Sequence, residues 1–268
     1  MRRLRPLLAL LAALLAGACG SAPPARAPAP SSCEPAEWPA TDATPLLDPA
    51  PVSELRGERW IALDWRWDEV GVAPLRQAAV NRPGDECAVD AVLGRQAAAL
   101  DLAVTATGRT DDCTYVLRAT DLPAAAPVTL GPVPPHNRLA ALARRGAAVW
   151  AALQANGYAR DLPAGGNVVV AADLCTGVVR WSSGDLTSNG PLMTVGDAVV
   201  TAYGFTAEPD HLYVLDAASG AVVQSVPLPS AAEALALTRD RLWVKTYDAV
   251  LSFRLLRPAS APPPGRSR

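Results

Sequence analysis

No stretch of this 268-residue chain is long and apolar enough to cross a bilayer as a helix. Crossing takes roughly 20 apolar residues for ~30 Å of hydrocarbon. The run at residues 7–18 stops at twelve, and no later stretch reaches twenty without a charge or a proline. The motifs that announce catalysis are missing as well: there is no Gly-x-Ser-x-Gly elbow, no His-Glu-x-x-His and no phosphate-cradling glycine loop. There is no Cys-x-x-Cys, and the two histidines, His136 and His211, stand apart in loop-like sequence, so both read as exposed polar residues rather than metal ligands. These absences lead to the expectation of no enzyme activity, no metal and no cofactor.

The N-terminus is informative. Arg2, Arg3 and Arg5 precede the apolar run, which is the charged-then-apolar layout of a secretory signal. Leu15, Ala16, Gly17 and Ala18 run straight into Cys19 and resemble the bacterial lipobox, with Ala16 standing where a larger aliphatic residue is usual. The resemblance implies cleavage before Cys19, lipidation of that cysteine and an exported chain held on the cell envelope, on its periplasmic or cell-surface side. Burial gives ~0.8 kcal/mol per CH₂, so the two or three acyl chains on such a cysteine anchor stably. Residues 20–51 carry nine prolines among alanine and serine and cannot bury enough apolar surface to fold, so they read as a tether. The domain reading is a signal peptide at 1–18, a Pro/Ala-rich tether at 19–53, a folded domain at 54–256 and a disordered tail at 257–268. Three of the 24 basic residues lie in the signal, which leaves 21 against 26 acidic ones and argues against nucleic acid as a partner.

Beyond Cys19 remain Cys33, Cys87, Cys113 and Cys175. An even count in an exported chain points to two disulfides, for which three pairings exist. Cys87 with Cys113, which begin neighbouring predicted segments, is the preferred pair, and it leaves Cys33 to pin the tether to Cys175.

The C-terminal half contains a repeat. Asp173, Thr176, Gly177 and Trp181 recur 43 residues later as Asp216, Ser219, Gly220 and Gln224, each set preceded and followed by an apolar run. In each, an aspartate can accept turn N–H groups and a glycine can supply positive φ, so a hairpin is expected. Gly146, Gly196 and the pair Arg239 and Asp240 each open a further short apolar strand before a signature strand. Fainter echoes begin at Ile61 and Tyr115, and Val250 closes the series. Counted as the last strand of each unit, these give about four repeats at irregular spacings, of which the 43-residue offset of the two clear copies is within the range expected of propeller blades.

With Trp181 four places after Gly177, the unit resembles the PQQ-like repeat of β-propellers, in which that tryptophan packs between blades; Gln224 departs from it. The resemblance implies an all-β propeller of PQQ-like or WD-like repeats, about four to five blades, some degenerate, open to closure by pairing a strand around Trp60 with the C-terminal strands. It implies no bound quinone, because the chain is short and lacks the adjacent cysteine pair of the catalytic members. Residues 97–104 and 138–156 are alanine-rich and compete as helices, with Gly146 and the alignment of Trp150 with Trp243 favouring strands. Trp65 and Trp67 fall on one strand face beside Trp60, Asp64, Asp68 and Glu69, and either pack against the next sheet or line a ligand surface. The expected function is a membrane-anchored, non-enzymatic scaffold for a protein partner in the cell envelope. The alternatives are a small-molecule or carbohydrate-binding propeller, or a hydrolase whose residues the sequence does not advertise.

Overall fold

The computed structural model describes residues 33–38, 46–49, 53–56, 86–109, 112–122, 124–131, 138–155, 166–205, 208–238 and 241–256. They form sixteen strands and one helix. Two short strands come first, β1 (Leu46–Leu47) and β2 (Ser53–Arg56), followed by helix α1 (Ala91–Ala99). Blade 1 is β3 (Leu102–Thr107), β4 (Thr114–Ala119) and β5 (Val128–Leu130). Blade 2 is β6 (Arg138–Arg145), β7 (Ala148–Gln154), β8 (Val168–Asp173) and β9 (Val178–Ser182). Blade 3 is β10 (Leu192–Val195), β11 (Ala198–Tyr203), β12 (His211–Asp216) and β13 (Val222–Pro227). Blade 4 is β14 (Ala232–Thr238), β15 (Arg241–Thr246) and β16 (Ala249–Leu256).

Within each blade the strands lie side by side in chain order and antiparallel. The first strands of successive blades meet, β6 against β10 and β10 against β14. Such a succession of small antiparallel sheets joined through their first strands is a β-propeller. Blade 4 takes its outer strand from the other end of the chain: β2 pairs with β16 from Ser53↔Ser252 to Arg56↔Ala249, and β1 pairs with Leu255 and Leu256. The strand that brings the N-terminal region onto the last blade is therefore upstream of the one expected around Trp60, which lies outside the described residues. Two pieces of the stretch read as tether, 33–38 and 46–49, belong to the folded body.

Burial follows from the two-residue period of a strand. Along β7, Val149, Ala151 and Leu153 enter the core between blades 1 and 2, while Ala148, Trp150 and Ala152 enter the core between blades 2 and 3. Along β8, Val168, Val170 and Ala172 go one way and Val169 and Ala171 the other. Both faces are covered, so these strands read as unbroken apolar runs rather than alternating ones. This also explains why alanine-rich residues 138–154 are strands despite their helix propensity: small side chains let neighbouring blades approach, and tertiary packing overrides a weak local preference. The outer strands β9 and β13 are mostly exposed.

The helix is the departure from an all-strand chain, and it shares only residues 97–99 with the stretch at 97–104 singled out for helix propensity. Asp90 caps α1 by accepting from the Val92 and Leu93 N–H groups, and Leu93 and Ala97, four apart, bury one face. It packs against β3 and β6, where an innermost strand of blade 1 would stand. The Gln96 carboxamide seals the join, donating to the Leu142 carbonyl at 2.9 Å and accepting from the Leu142 N–H at 3.1 Å. Arg138 pairs with Asp90, and Arg144 donates to the Leu100 carbonyl. A second correction concerns the repeat unit, because the strands counted from sequence as the last of each unit are not the outermost: β8 and β12 are third strands followed by a fourth, β4 is the middle strand of its three-stranded sheet, and β16 is covered by β1 and β2.

Candidate functional site

The repeated turns are built alike. After β8, Asp173 Oδ1 accepts from the Cys175 and Thr176 N–H groups while the Gly177 N–H closes on the Asp173 carbonyl. After β12, Asp216 Oδ1 accepts from the Ser219 N–H and hydroxyl, and the Gly220 N–H closes on the Asp216 carbonyl. Gly177 and Gly220 take φ of 71° and 75°, where a side chain is strained. Asp173 is fully buried. Burial alone would raise its pKa, but the N–H groups of Thr176, Ala36 and Cys175 and the Arg180 charge together hold the carboxyl below its ordinary value.

Each turn docks on the blade before it. A Cβ on Gly177 would come 2.8 Å from the Pro127 carbonyl oxygen, and one on Gly220 would come 2.4 Å from the Trp181 ring. Trp181 Nε1 donates to the Ala217 carbonyl at 3.2 Å, so this indole links blade 2 to the turn of blade 3. Gln224, one repeat later, serves a different neighbour: it donates to the Leu47 carbonyl and accepts from the Leu47 N–H, each at 2.7 Å. A carboxamide thus extends the backbone pairing of β1.

Around these junctions Val178, Val179, Val222 and Val223 are 51%, 44%, 48% and 43% exposed. They lie on β9 and β13, the last strands of their sheets among the described residues. The four valines therefore flank the Trp181–Gly220 contact on neighbouring blades.

Ahead of the blades, residues 33–38 cross the Asp173 turn. Cys33 is disulfide-bonded to Cys175, the Ala36 N–H donates to Asp173 Oδ2 at 2.9 Å, and Trp38 meets Trp150 edge-on with centroids 5.7 Å apart. The second disulfide joins Cys87 to Cys113. An open cleft of about 570 Å³ runs between residues 34–38, the Gly146 turn and Asp197. Arg145, bonded to the Gly196 carbonyl and to Asp197, forms its far wall.

At the opposite ends of β11 and β12, Tyr203 meets Phe205 edge-on and hydrogen-bonds Glu208, and the His211 and Tyr213 rings lie tilted against each other. Burial and the Glu208 carboxylate push the Tyr203 hydroxyl pKa well up. Asp210 has one oxygen, Oδ1, buried with no partner, and its pKa is raised, chiefly by burial and further by Asp248, with His211 opposing. His211 is thus half-buried at the start of β12 rather than in an exposed loop. Sequence reading did not find this group, because Tyr203 and Asp248 sit in different blades and no spacing connects them.

The structure places Asp173 and Gly177 in the turn that meets blade 1, and brings Trp181 together with Gly220, in the turn that Asp216 closes, at the junction of blades 2 and 3. Cys19, Trp60, Trp65, Trp67 and His136 lie outside the described residues. Among those described, no group of three or more His, Cys, Asp or Glu side chains could hold a metal ion, and no helix is long and apolar enough to cross a membrane.

The class the fold defines is the β-propeller. No protein-family model matches the chain, and no curated protein does. Among solved structures, a europium-containing methanol dehydrogenase aligns at 15% identity over 47% of this chain and 23% of its own, with a TM-score of 0.33. BamB from Moraxella catarrhalis aligns at 14% identity over 75% of this chain and 59% of its own, with a TM-score of 0.37. The chain spans less than two thirds of either protein.

Proposed function

We propose that this chain is a lipid-anchored, extracytoplasmic β-propeller of PQQ-like repeats that holds another protein of the cell envelope and carries out no chemistry itself. The observation that supports binding is the exposure of four valines, Val178, Val179, Val222 and Val223, on the outer strands of two successive blades, where they present apolar surface beside strand edges that a partner strand can extend. The two disulfides fit an oxidising compartment. The signal sequence and Cys19 supply the anchor, and mass spectrometry of the mature protein should find Cys19 acylated; an unmodified thiol would remove the anchor from the reading.

The partner is tested by crosslinking and pull-down of the lipidated full-length chain from membranes. Val179→Glu with Val222→Glu should abolish capture of whatever the wild-type chain retains while leaving the melting temperature unchanged. Retention by the double variant would refute the valine face. A second reading, small-molecule binding, is favoured by the Tyr203, Phe205, His211 and Tyr213 rings beside the unpartnered Asp210 oxygen. It requires thermal stabilisation by some ligand in a broad screen, with the shift lost in Phe205→Ala.

A further inference from the structure

Residues 33–38 lie on blade 2 as a bound peptide lies on a receptor. We propose that the groove beneath them is a peptide-recognition site, which the chain's own segment occupies under the lock of the Cys33–Cys175 disulfide.

The groove reads two features of its occupant. The first is a backbone N–H. Oδ1 of Asp173 alone serves the turn, as Oδ1 of Asp216 does in blade 3, and Oδ2 of Asp173 is given to the Ala36 N–H. With the segment in place the carboxylate is fully buried and both oxygens have donors, while Arg180 stays 3.7 Å from Oδ2, so an occupant that again excludes water from Asp173 would supply that N–H. The second feature is an aromatic ring two residues later. Trp38 lies edge-on against Trp150, which is buried in a core cluster made largely of small side chains, among them Ala140, Ala141, Ala143, Ala148 and Ala152.

The present occupant leaves part of the groove unused. Residues 33–38 form neither strand nor helix. The indole N–H groups of Trp38 and Trp150 are both buried without an acceptor. An open cleft of about 570 Å³ is left alongside, bounded by Arg145 and the Gly146 turn. A peptide that presents an N–H to Asp173, an aromatic ring to Trp150 and more bulk toward Arg145 would fit the same groove. This deepens the protein-binding reading, on which it rests, by naming a class of partner: an extended peptide with an aromatic side chain two residues after the N–H that Asp173 reads.

The experiment uses the full chain carrying Cys33→Ser, Cys175→Ser and Trp38→Ala, which removes the lock and the ring. The probe is a fluorescein-labelled peptide with the sequence of residues 33–38 and serine for Cys33, followed by anisotropy. It should bind this variant saturably and at least tenfold more tightly than it binds the oxidised wild type, and alanine in place of the peptide's tryptophan should abolish binding. No saturable binding by a variant that keeps a cooperative melt overturns the proposal, as does binding indifferent to the tryptophan. Should the variant not fold, the oxidised Trp38→Ala chain must bind the peptide more tightly than the wild type, and equal affinities overturn the proposal. Loss of peptide binding with intact capture through the valine face would refute the groove alone; the reverse would refute that face alone.

Discussion

At Gly220 two demands coincide, a φ of 75° and a ring edge 2.4 Å from where a Cβ would stand. Alanine there should cost about 1–2 kcal/mol for the left-handed backbone and about 1–3 more for overpacking against Trp181. In a Trp181→Ala background only the backbone part should remain, so a double-mutant cycle in urea should show coupling above about 0.5 kcal/mol. Acid titration separates two aspartates. The folded state holds Asp173 below 3.8, so its stabilising contribution is complete above that pH and lost as pH falls through the lowered folded value. Asp173→Asn should therefore lie furthest below the wild type at neutral pH and converge with it in acid. Asp210 is the opposite case: its folded pKa is raised, which makes the ionised side chain a liability at neutral pH that protonation removes. Asp210→Asn should raise the urea midpoint at pH 7, with the gain vanishing below the ordinary carboxylate range. The Asp173 and Asp216 turns were legible in sequence because donor, acceptor and glycine all lie within four residues. The Asp210 environment was not, because it is made by Gly204 and Asp248 across a blade boundary.

Elements join through side-chain amides. Gln96 pairs with Leu142 on β6 and Gln224 pairs with Leu47 on β1, while Asn189 donates to the Gly204 carbonyl and accepts from its N–H. Each carboxamide presents a donor and an acceptor in one plane, as a backbone peptide does, and so satisfies an edge without adding a strand. Gln224→Ala should leave the Leu47 N–H and carbonyl unpaired and lower stability by about 1–3 kcal/mol, read from equilibrium unfolding of the oxidised protein. Loss of the α1 cap in Asp90→Ala should cost about 1 kcal/mol and speed hydrogen exchange across residues 91–99, with β11 and β12 unchanged. No local pattern could have revealed these clips. Gln224 reads as a defect in a tryptophan motif until the strand it meets, 177 residues away, is known. The Asp90 cap was written in the chain, but the alanines after it put the competing helix reading, at residues 97–104, a few residues too late and partly onto what becomes β3.

Across the whole molecule the chain ends are interdependent, because β1 and β2 complete the blade that β16 belongs to. Removing residues 1–57 should expose the β16 edge and produce self-association on size-exclusion chromatography. The two disulfides should differ in weight. The Cys33–Cys175 bond closes 142 residues and the Cys87–Cys113 bond 26, so loop-closure entropy assigns them about 5 and about 3.5 kcal/mol. Replacing the first pair with serine should therefore lower the urea midpoint more than replacing the second. The blade pattern was visible from the spacing of two hairpins; the route by which the N-terminus reaches the last blade was not, because nothing in a proline-rich stretch marks Leu46 and Leu47 as strand.

The Cys33–Cys175 bond also sets the path of mechanical load. Tension applied upstream of residue 33 passes through two sulfur atoms into the turn after β8, a four-stranded sheet packed on both faces. The described parts of residues 34–56, β1 and β2 among them, lie inside the loop that this bond closes and outside that path. The two-residue β1 and four-residue β2, which simple peeling would strip first, are shielded from a pull on the N-terminus for as long as the bond is intact.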